Sequence, residues 1–484
     1  MRRIALLAAI GAVSAGLCAE AADFGALVEL QLLQASPDLF GVETPLIAPV
    51  TAAGEGAGGR STEQAEADQI ETARGLAARF LTRVAADGIA AMTLWPAEAP
   101  THLMVCTGGP RKEIGLTPDR DVKYNPSVQR ISLTGGAVTT VLRGLDDCGA
   151  LTATGWGTLI VAEAAEDGGV YEILDPLVVT EAQVIDRDNG ETSVPDRVAK
   201  REQLPAISWR GIAALPSGVV YGSDGMAPGE LGADRDGGAI YKFLPETALD
   251  GGTLTSLDGS PLARGVAYAL QINCGTDELQ FGQGCETGIG GWLEISAADA
   301  RFEAGGFGAT GYDRPSGLVR DLNWQGEGVR FCFATRGDPA VREASVLCLD
   351  DREPGFATGA DGAPANTVIL RPFVYGDTGF GAFASLAVQP LRGNVFIGEE
   401  TANGDVVACL ADGADANTRS DGCVRVAALK DASAAVRGLV FAPDGMTLYL
   451  AAGGSDDANM PGSDSFPTDD ILKLTGFRLP DPNN

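Results

Sequence analysis

A chain of 484 residues with one histidine has few of the usual active sites open to it. His102 alone cannot furnish a multi-histidine zinc or copper centre or a zincin motif, and no C-x-x-C-H is present to attach haem. A Ser-His-Asp triad would have to use His102, which sits in the apolar stretch His102 to Cys106. No Walker or dinucleotide glycine pattern leads from a strand into a helix. Positive charge is also scarce. Lys and Arg number 35 against 65 Asp and Glu, a net charge of −30. Such a field repels nucleic acid and anionic lipid, so neither is expected as a partner, and it attracts cations. Long apolar runs are missing too: no stretch reaches the ~18 apolar residues that a membrane span requires.

What is present begins with an export signal. Met1-Arg2-Arg3 forms a short basic region, Ile4 to Leu17 is apolar, and Ala19-Glu20-Ala21 fits a small-x-small cleavage site. Cleavage after Ala21 would place the mature chain in the periplasm or outside the cell. Of nine cysteines, eight lie beyond this segment, an even set suited to disulfides in an oxidising compartment. Cys274 with Cys285, Cys332 with Cys348, and Cys409 with Cys423 are local pairs. A bridge closing an ~15-residue loop contributes ~3 kcal/mol in the chain-entropy picture. Cys106 and Cys148 remain, either as a fourth bridge, which parity favours, or as two free thiols.

The stretch Gly144 to Pro176 is a template for most of the chain. Trp156-Gly157-Thr158 opens the apolar run Leu159 to Val161, which stops at Glu163. The turn Glu166-Asp167-Gly168-Gly169 and a second run, Val170 to Leu174, follow. Glycines supply the positive φ of tight turns, and Val, Ile and Tyr suit a pleated surface, so this is a β-hairpin. Similar grammar recurs in Ile89 to Gly109, Gly211 to Pro245, from Gly317, Ser385 to Leu410, and from Gly438. Repeats at about 50-residue spacing predict an all-β, six-bladed β-propeller, with five or seven blades open. The parallel β-helix has much shorter coils. The propeller is assigned to residues 89–484, and a monomer is expected. Residues 22–88 form an N-terminal segment. There, Ser61 and Gln64 suggest a capping box, and Ile70, Ala73, Ala77, Phe80, Leu81 and Val84 predict an amphipathic helix over 62–86. Terminal strands often close a propeller, which suggests that Leu27 to Leu33 completes the blade ending at Ile471 to Leu474.

In a closed ring of blades, the residues ending equivalent strands should share one rim. Those residues are Glu163, Asp224, Glu399 or Glu400, and Asp456 or Asp457. Carboxylates crowded together need cations, and Ca²⁺ is the natural hard-metal partner. Ordinary solvated turn carboxylates are the competing reading. The loops Asp186 to Gly190, Asp234 to Gly237 and Asp412 to Asn417 alternate Asp and Asn with Gly, but none has the full EF-hand spacing.

One further match is more specific. D-C-G-A at Asp147 to Ala150, followed by G-W-G-T-L-I-V-A-E, resembles the cysteine segment and the P-W-G-T-x-x-T-C-E-E motif of the PhoX-type alkaline phosphatases. R-P-S-G at Arg314 to Gly317 is similar to that family's R-P-E-G. The resemblance runs from roughly Asn125 to Gly454. It implies a six-bladed propeller that hydrolyses phosphate monoesters with Fe³⁺ and Ca²⁺, with Cys148 and Glu163 at iron-ligand positions and Arg314 holding phosphate oxygens. The chain departs from the family pattern at several of these places. Trp209-Arg210 stands where the family has a His-Glu pair, Ser316 where R-P-E-G has its glutamate, Ala164 at the second glutamate of the E-E pair, and Ala384-Ser385 at an Asp-Asn position. A multi-cation site cannot lose so many oxygen ligands unchanged. The expectation is therefore a protein handling a small phosphate ester or other small ligand, with phosphatase activity weak or altered. The alternatives are a non-catalytic, calcium-stabilised binding propeller and, more distantly, a lactonase-like propeller with one central Ca²⁺.

Overall fold

The computed structural model describes residues 30–49, 60–230, 236–273, 287–337, 344–355, 357–358, 364–365, 367–376, 380–411, 422–455, 459–463 and 466–480. The export segment and the proposed Cys274–Cys285 pair lie outside them. The template hairpin forms as its sequence dictates. Cys148–Ala153, Thr158–Glu163 and Val170–Leu174 pair in antiparallel succession, and Val198–Lys200 adds a fourth strand. Every residue of Thr158–Glu163 is buried, because neighbouring sheets cover both faces of this strand. Gly157, at φ +82°, makes the turn between the first two strands. Trp156 is fully buried beside it and donates its indole N–H to Glu172 at 2.8 Å.

The four-strand meander recurs along the chain. Ile89–Trp95, His102–Thr107, Pro126–Ser132 and Val138–Arg143 form one, and Ala182–Asp186 joins its outer edge in parallel. Trp209–Ala214, Val220–Asp224, Ile240–Pro245 and Gly265–Asn273 form the next. Beyond Gly265–Asn273 an inserted strand, Gly288–Ile295, bonds outward to Val368–Tyr375. That strand is the outermost of the meander containing Ser316–Arg320, Val329–Thr335 and Ser345–Asp351, so the two merge into one nine-stranded sheet. The long interval between Gly211 and Gly317 is therefore one repeat with insertions. Phe383–Val388, Val395–Glu399, Asp405–Cys409 and Cys423–Leu429 follow, and then Ala435–Phe441, Thr447–Gly453 and Thr468–Thr475. The first strand of each meander packs on the first strand of the next, and the sequence returns from Ala435–Phe441 to Ile89–Trp95, closing a ring. Apolar clusters fill the space between adjacent sheets, for example Trp156, Trp209, Tyr241 and Phe243 in one and Phe396, Phe441 and Phe477 in another.

The ring closes through the segment read as a helix, and this corrects the sequence reading. Residues 62–86 hold only a short helix, Glu66–Gln69, before Ile70–Thr72 adds to the edge of Cys423–Leu429. Ala77–Ala86 is a strand paired with Thr468–Thr475 as the fourth strand of the last meander. Its register shifts twice, between Phe80 and Thr82 and between Thr82 and Ala85. Each shift puts one extra residue in this strand, so its apolar residues do not alternate with a period of two: Phe80 and Leu81, adjacent in sequence, pack into different cores, and Val84 is exposed. Strand closure was foreseen at Leu27 to Leu33, but residues 30–34 are helical, and Leu32 packs into the adjoining core.

Buried charge fastens the closure. Arg60, wholly enclosed, donates to Asp470 at 2.7 Å, and Arg83 donates to both oxygens of the same carboxylate at 3.0 and 3.1 Å. Disulfides add three covalent ties among the described residues. Cys332–Cys348 and Cys409–Cys423 join directly opposed residues within sheets, and Cys106–Cys148 joins neighbouring sheets with its Cα atoms 5.5 Å apart. The bridge is the outcome that parity favours, and it removes Cys148 as a thiolate metal ligand. No helix among the described residues is long and apolar enough to cross a membrane.

A second kind of internal fastening recurs at strand ends. Glu163, Asp224 and Glu399 are the last residues of their strands, and they are 1%, 0% and 6% exposed. Each carboxylate accepts the backbone N–H of a residue just ahead of the paired inner strand: Asp146 at 2.9 Å, Ser208 at 3.2 Å and Gly381 at 2.7 Å. Glu163 also takes the Gly169 N–H at 3.0 Å and an Arg187 guanidinium at 2.8 Å, and Asp224 takes Arg301 at 2.9 Å. Among the described residues Glu399 has a second backbone donor, Asp405 at 3.2 Å, and no guanidinium within hydrogen-bond distance. Burial pushes its carboxyl up to about 7, opposed by the Gly381 N–H and reinforced by the nearby Asp405 carboxylate.

Two measurements check these fastenings. Asp470→Asn leaves Arg60 short of its buried counter-charge and should lower the unfolding free energy in urea by roughly 3–5 kcal/mol. A loss under about 1 kcal/mol would mean that the pair does not fasten the closure. Glu399 holds a proton in the native state between its ordinary 4.5 and about 7, a proton that the unfolded chain has released. Its contribution to stability is therefore full below pH 4.5 and is lost as pH rises toward 7. Glu399→Gln abolishes that loss. Across this window the stability difference should move in the variant's favour by on the order of 3 kcal/mol. Wild-type and variant curves that stay parallel with pH would show that Glu399 is ionised throughout.

Candidate functional site

Each inner hairpin carries an irregularity at the same place. Ile89 faces Thr107 but Ala91 faces Cys106, so Ala90 is an extra residue. The same count isolates Gly149, Arg210, Ala384 and Arg437 in their hairpins, and the register also slips between Ser316 and Val319. A bulge leaves one residue unpaired and re-aims it. Ala90, Gly149, Arg210, Ser316, Ala384 and Arg437 all line a single cavity of about 650 Å³. The partner strands supply the opposite part of its wall through the residues just past their ends: Gly108, Ala164, Gly225, Arg336, Glu400 and Gly454. The cavity thus lies where the inner strands begin and their partners end.

This geometry corrects the expected carboxylate rim. Side chains alternate along a strand, so the residue that ends it and the residue after it point to opposite sides. Glu163, Asp224 and Glu399 turn away from the cavity to their N–H and guanidinium donors, and only Glu400 of the expected set lines it. Asp456 lies outside the described residues. With Cys148 in a disulfide and Glu163 saturated by Arg187 and two N–H groups, these residues do not fit Fe³⁺. Nor do Glu163, Asp224 and Glu399 form a Ca²⁺ rim. Among the described residues no group of three or more His, Cys, Asp or Glu side chains is placed to hold a metal ion. The Asp186 loop closes on itself, its carboxylate accepting the N–H groups of Asp188 and Asn189. Asp234 and Arg235 of one acidic loop, and all of Asp412 to Asn417, lie outside the described residues. His102, half-buried in an outer position, bonds Thr101 at 2.9 Å and does not line the cavity.

The charged groups that do converge are arginines. Arg210 and Arg437 come from bulges, Arg336 follows Val329–Thr335, and Arg314 precedes Ser316–Arg320 in a left-handed conformation, φ +46°. That φ is unusual for a side-chain-bearing residue and marks a constrained position. Arg210 pairs with Asp147 at 2.8 Å, and Arg314 with Glu230 at 3.2 Å. Glu400 bonds Arg437 and lies 3.9 Å from Arg336, so one carboxylate serves two guanidiniums. Burial depresses Arg437, and the positive charges of Arg210 and Arg336 add to the effect. A cation destabilised by neighbouring cations, inside a cavity with Phe383, Phe466 and Ile89 on its walls, would gain most from an anion. Of the candidate site residues read from the sequence, Arg314 and Glu400 belong here, as do the positions of departure from the motifs, Ala164, Arg210, Ser316 and Ala384. Arg336 and Arg437 carried no signal as isolated arginines, and the signal that could have found them is the residue beyond each template strand and the bulge opposite it.

No protein-family model matches the chain, and no curated protein matches it by sequence. Among solved structures, PhoX of Pseudomonas fluorescens, determined in complex with vanadate, a transition-state analogue, superposes with a TM-score of 0.55. The identity is 14%, over 87% of this chain and 98% of that one. An aldose sugar dehydrogenase from Streptomyces coelicolor in its PQQ-bound form is similar at 0.41, with 14% identity over 83% and 98%. A gluconolactonase from Xanthomonas campestris is similar at 0.34, with 12% identity over 82% and 98%. At these identities what is shared is the fold: the chain has a propeller-like architecture of the kind seen in PhoX.

Proposed function

We propose that the protein is an exported six-bladed propeller, monomeric, whose central cavity binds a small molecule bearing a phosphate-type oxyanion, with arginines standing where the PhoX resemblance implies metal ions. One observation carries this reading. Ala164, Arg210, Ser316 and Ala384, the positions at which the sequence departs from the family's motifs, all line the same cavity. At them carboxylates give way to small side chains and, at Arg210, to a cation. Guanidinium groups offer paired N–H donors that match a tetrahedral oxyanion. The acidic exterior opposes long polyanions and so favours a small ligand. Three disulfides fit an oxidising, extracytoplasmic location. The arginines can polarise a phosphoryl oxygen, but carboxylates placed to hold a metal-bound nucleophile are not assembled among the described residues, so this reading expects binding with weak or altered hydrolysis. Calcium is left to the acidic loops at Asp412 to Asn417 and Asp456, and metal analysis of protein purified without chelator reads its presence directly.

Calorimetric titration with inorganic phosphate should give saturable binding. Arg437→Ala and Arg210→Ala should each weaken it by about tenfold or more, the loss expected for a charge-assisted hydrogen bond. Hydrolysis of p-nitrophenyl phosphate should stay near background. Absence of binding at millimolar phosphate removes the oxyanion reading, and robust hydrolysis that disappears in Glu163→Ala restores the metal-dependent one.

A further inference from the structure

One wall of the arginine cavity carries a carboxyl group with a different kind of partner from the rest. Asp147, Glu230 and Glu400 are each engaged by an arginine. Asp87 also lines the cavity, yet it has no ion pair among the described residues, and its carboxyl bonds the carboxyl of Asp469. Asp469 is fully buried on Thr468–Thr475. Its Oδ2 accepts the N–H groups of Gly88 and Ile89 at 3.0 and 3.1 Å, and its Oδ1 accepts that of Gly454 at 3.2 Å. The loop that carries Asp87 is thereby wrapped around Asp469, and Asp87 is fixed in place further by its own N–H to Pro467 O at 2.9 Å.

A carboxyl enclosed beside a second carboxyl favours its protonated form, and Asp469 is the enclosed member of the two. Burial, with Asp87 beside it, pushes Asp469 well above the ordinary carboxylate range. The charged groups facing the pair are Arg437 from the neighbouring inner strand, with Arg210 and Arg336 beyond it and Glu400 on Arg437. Asp87, on the cavity wall with no ion pair among the described residues, meets a ligand there as an acceptor. A ligand oxygen placed against it must bring its own hydrogen. An oxygen without one would set two lone-pair-bearing atoms together in a partly desolvated site.

We propose that Asp87, held by Asp469, is the specificity-determining residue of the cavity, selecting a protonated oxyanion, a phosphate or phosphomonoester carrying one P–O–H, over a fully deprotonated oxyanion of the same shape. This rests on the oxyanion reading above and deepens it: the arginines supply charge, which sulfate would satisfy equally, and Asp87 supplies the discrimination. The ligand's hydrogen donates to Asp87, and no covalent bond changes.

Calorimetry with inorganic phosphate and with sulfate tests the assignment on the intact protein. Phosphate should bind about tenfold tighter than sulfate, or better, at pH 6.5, as expected when a site built to receive a hydrogen rejects an analogue lacking it. A phosphomonoester loses its last P–O–H at its second ionisation, so above that pH its affinity should fall toward about tenfold per pH unit with proton uptake on binding, while inorganic phosphate, which keeps one P–O–H there, and sulfate hold their affinities. Asp87→Asn, whose amide can turn a donor outward, should bring the two anions within about threefold of each other. Equal binding of phosphate and sulfate by the wild type overturns the assignment while leaving the arginine cavity standing. Failure of both to bind overturns the oxyanion reading itself. The wild-type comparison decides even if Asp87→Asn does not fold, and Asp469→Asn, which keeps the Asp87 carboxyl on the cavity wall, should keep the preference for phosphate.

Discussion

The recurrent extra residue near the start of the inner strands is the constraint from which the functional surface follows. An antiparallel hairpin in register sends successive side chains alternately into the two inter-sheet cores, leaving nothing aimed along the axis. A bulge breaks the alternation at one point and frees one side chain from both cores. Repeated around a closed ring of inner strands, it gathers residues distant in sequence, such as Ala90, Arg210 and Arg437, onto one cavity wall. Residue size at these positions then decides how much space is left. Gly149 has no room for more, since a Cβ there would lie 2.1 Å from Trp209 O, and Ala90 and Ala384 leave the volume that the arginines border.

The bulges need support, because the loop entering each inner strand leaves backbone N–H groups without ladder partners. Buried and unpaired, such groups would cost about as much as a lost hydrogen bond each. Glu163, Asp224 and Glu399 supply acceptors at equivalent places, which explains why acidic residues recur at the ends of the template strands. The recurrence of carboxylates is a property of the scaffold, and the chemistry belongs to the next residue along. Asp469 extends this use of buried carboxylates: it holds the loop of Asp87, Gly88 and Ile89 in the same manner and at the same time presents Asp87 to the cavity.

Much of this was legible in the chain itself. The hairpin grammar of Gly144 to Pro176 located the repeating unit, and the cysteine parity anticipated the Cys106–Cys148 bridge. The positions of departure from the PhoX motifs, far apart in sequence, all fall on one cavity wall, whose arginine character the motifs did not show. Two things were hidden for physical reasons. The closing strand Ala77–Ala86 carries two register shifts that break the alternation by which a strand is recognised, and only the missing fourth strand of the last meander decides the matter. The rim was misplaced by one residue, because alternation along a strand makes the neighbouring position the one that faces the axis. A bulge has no reliable signature in composition, so arginines such as Arg437 look like any surface arginine until the register is known.

The charge distribution then sets what kind of ligand can use the cavity. At a net charge of −30 the exterior opposes the approach of anions, and the opposition is greatest for extended polyanions that stay outside the ring while a single group enters. At physiological ionic strength that field decays over about 8 Å, whereas guanidiniums set among Phe383, Phe466 and Ile89 are screened much less. A small oxyanion therefore meets a modest barrier outside and a strong local attraction within. The attraction is not indiscriminate, since Asp147, Glu230 and Glu400 already engage most of the positive charge. What is left for a ligand is the surplus around Arg437 and Arg336, beside Asp87, which has no ion pair among the described residues. Charge draws the ligand to that corner, and the hydrogen it must present to Asp87 decides which ligand stays.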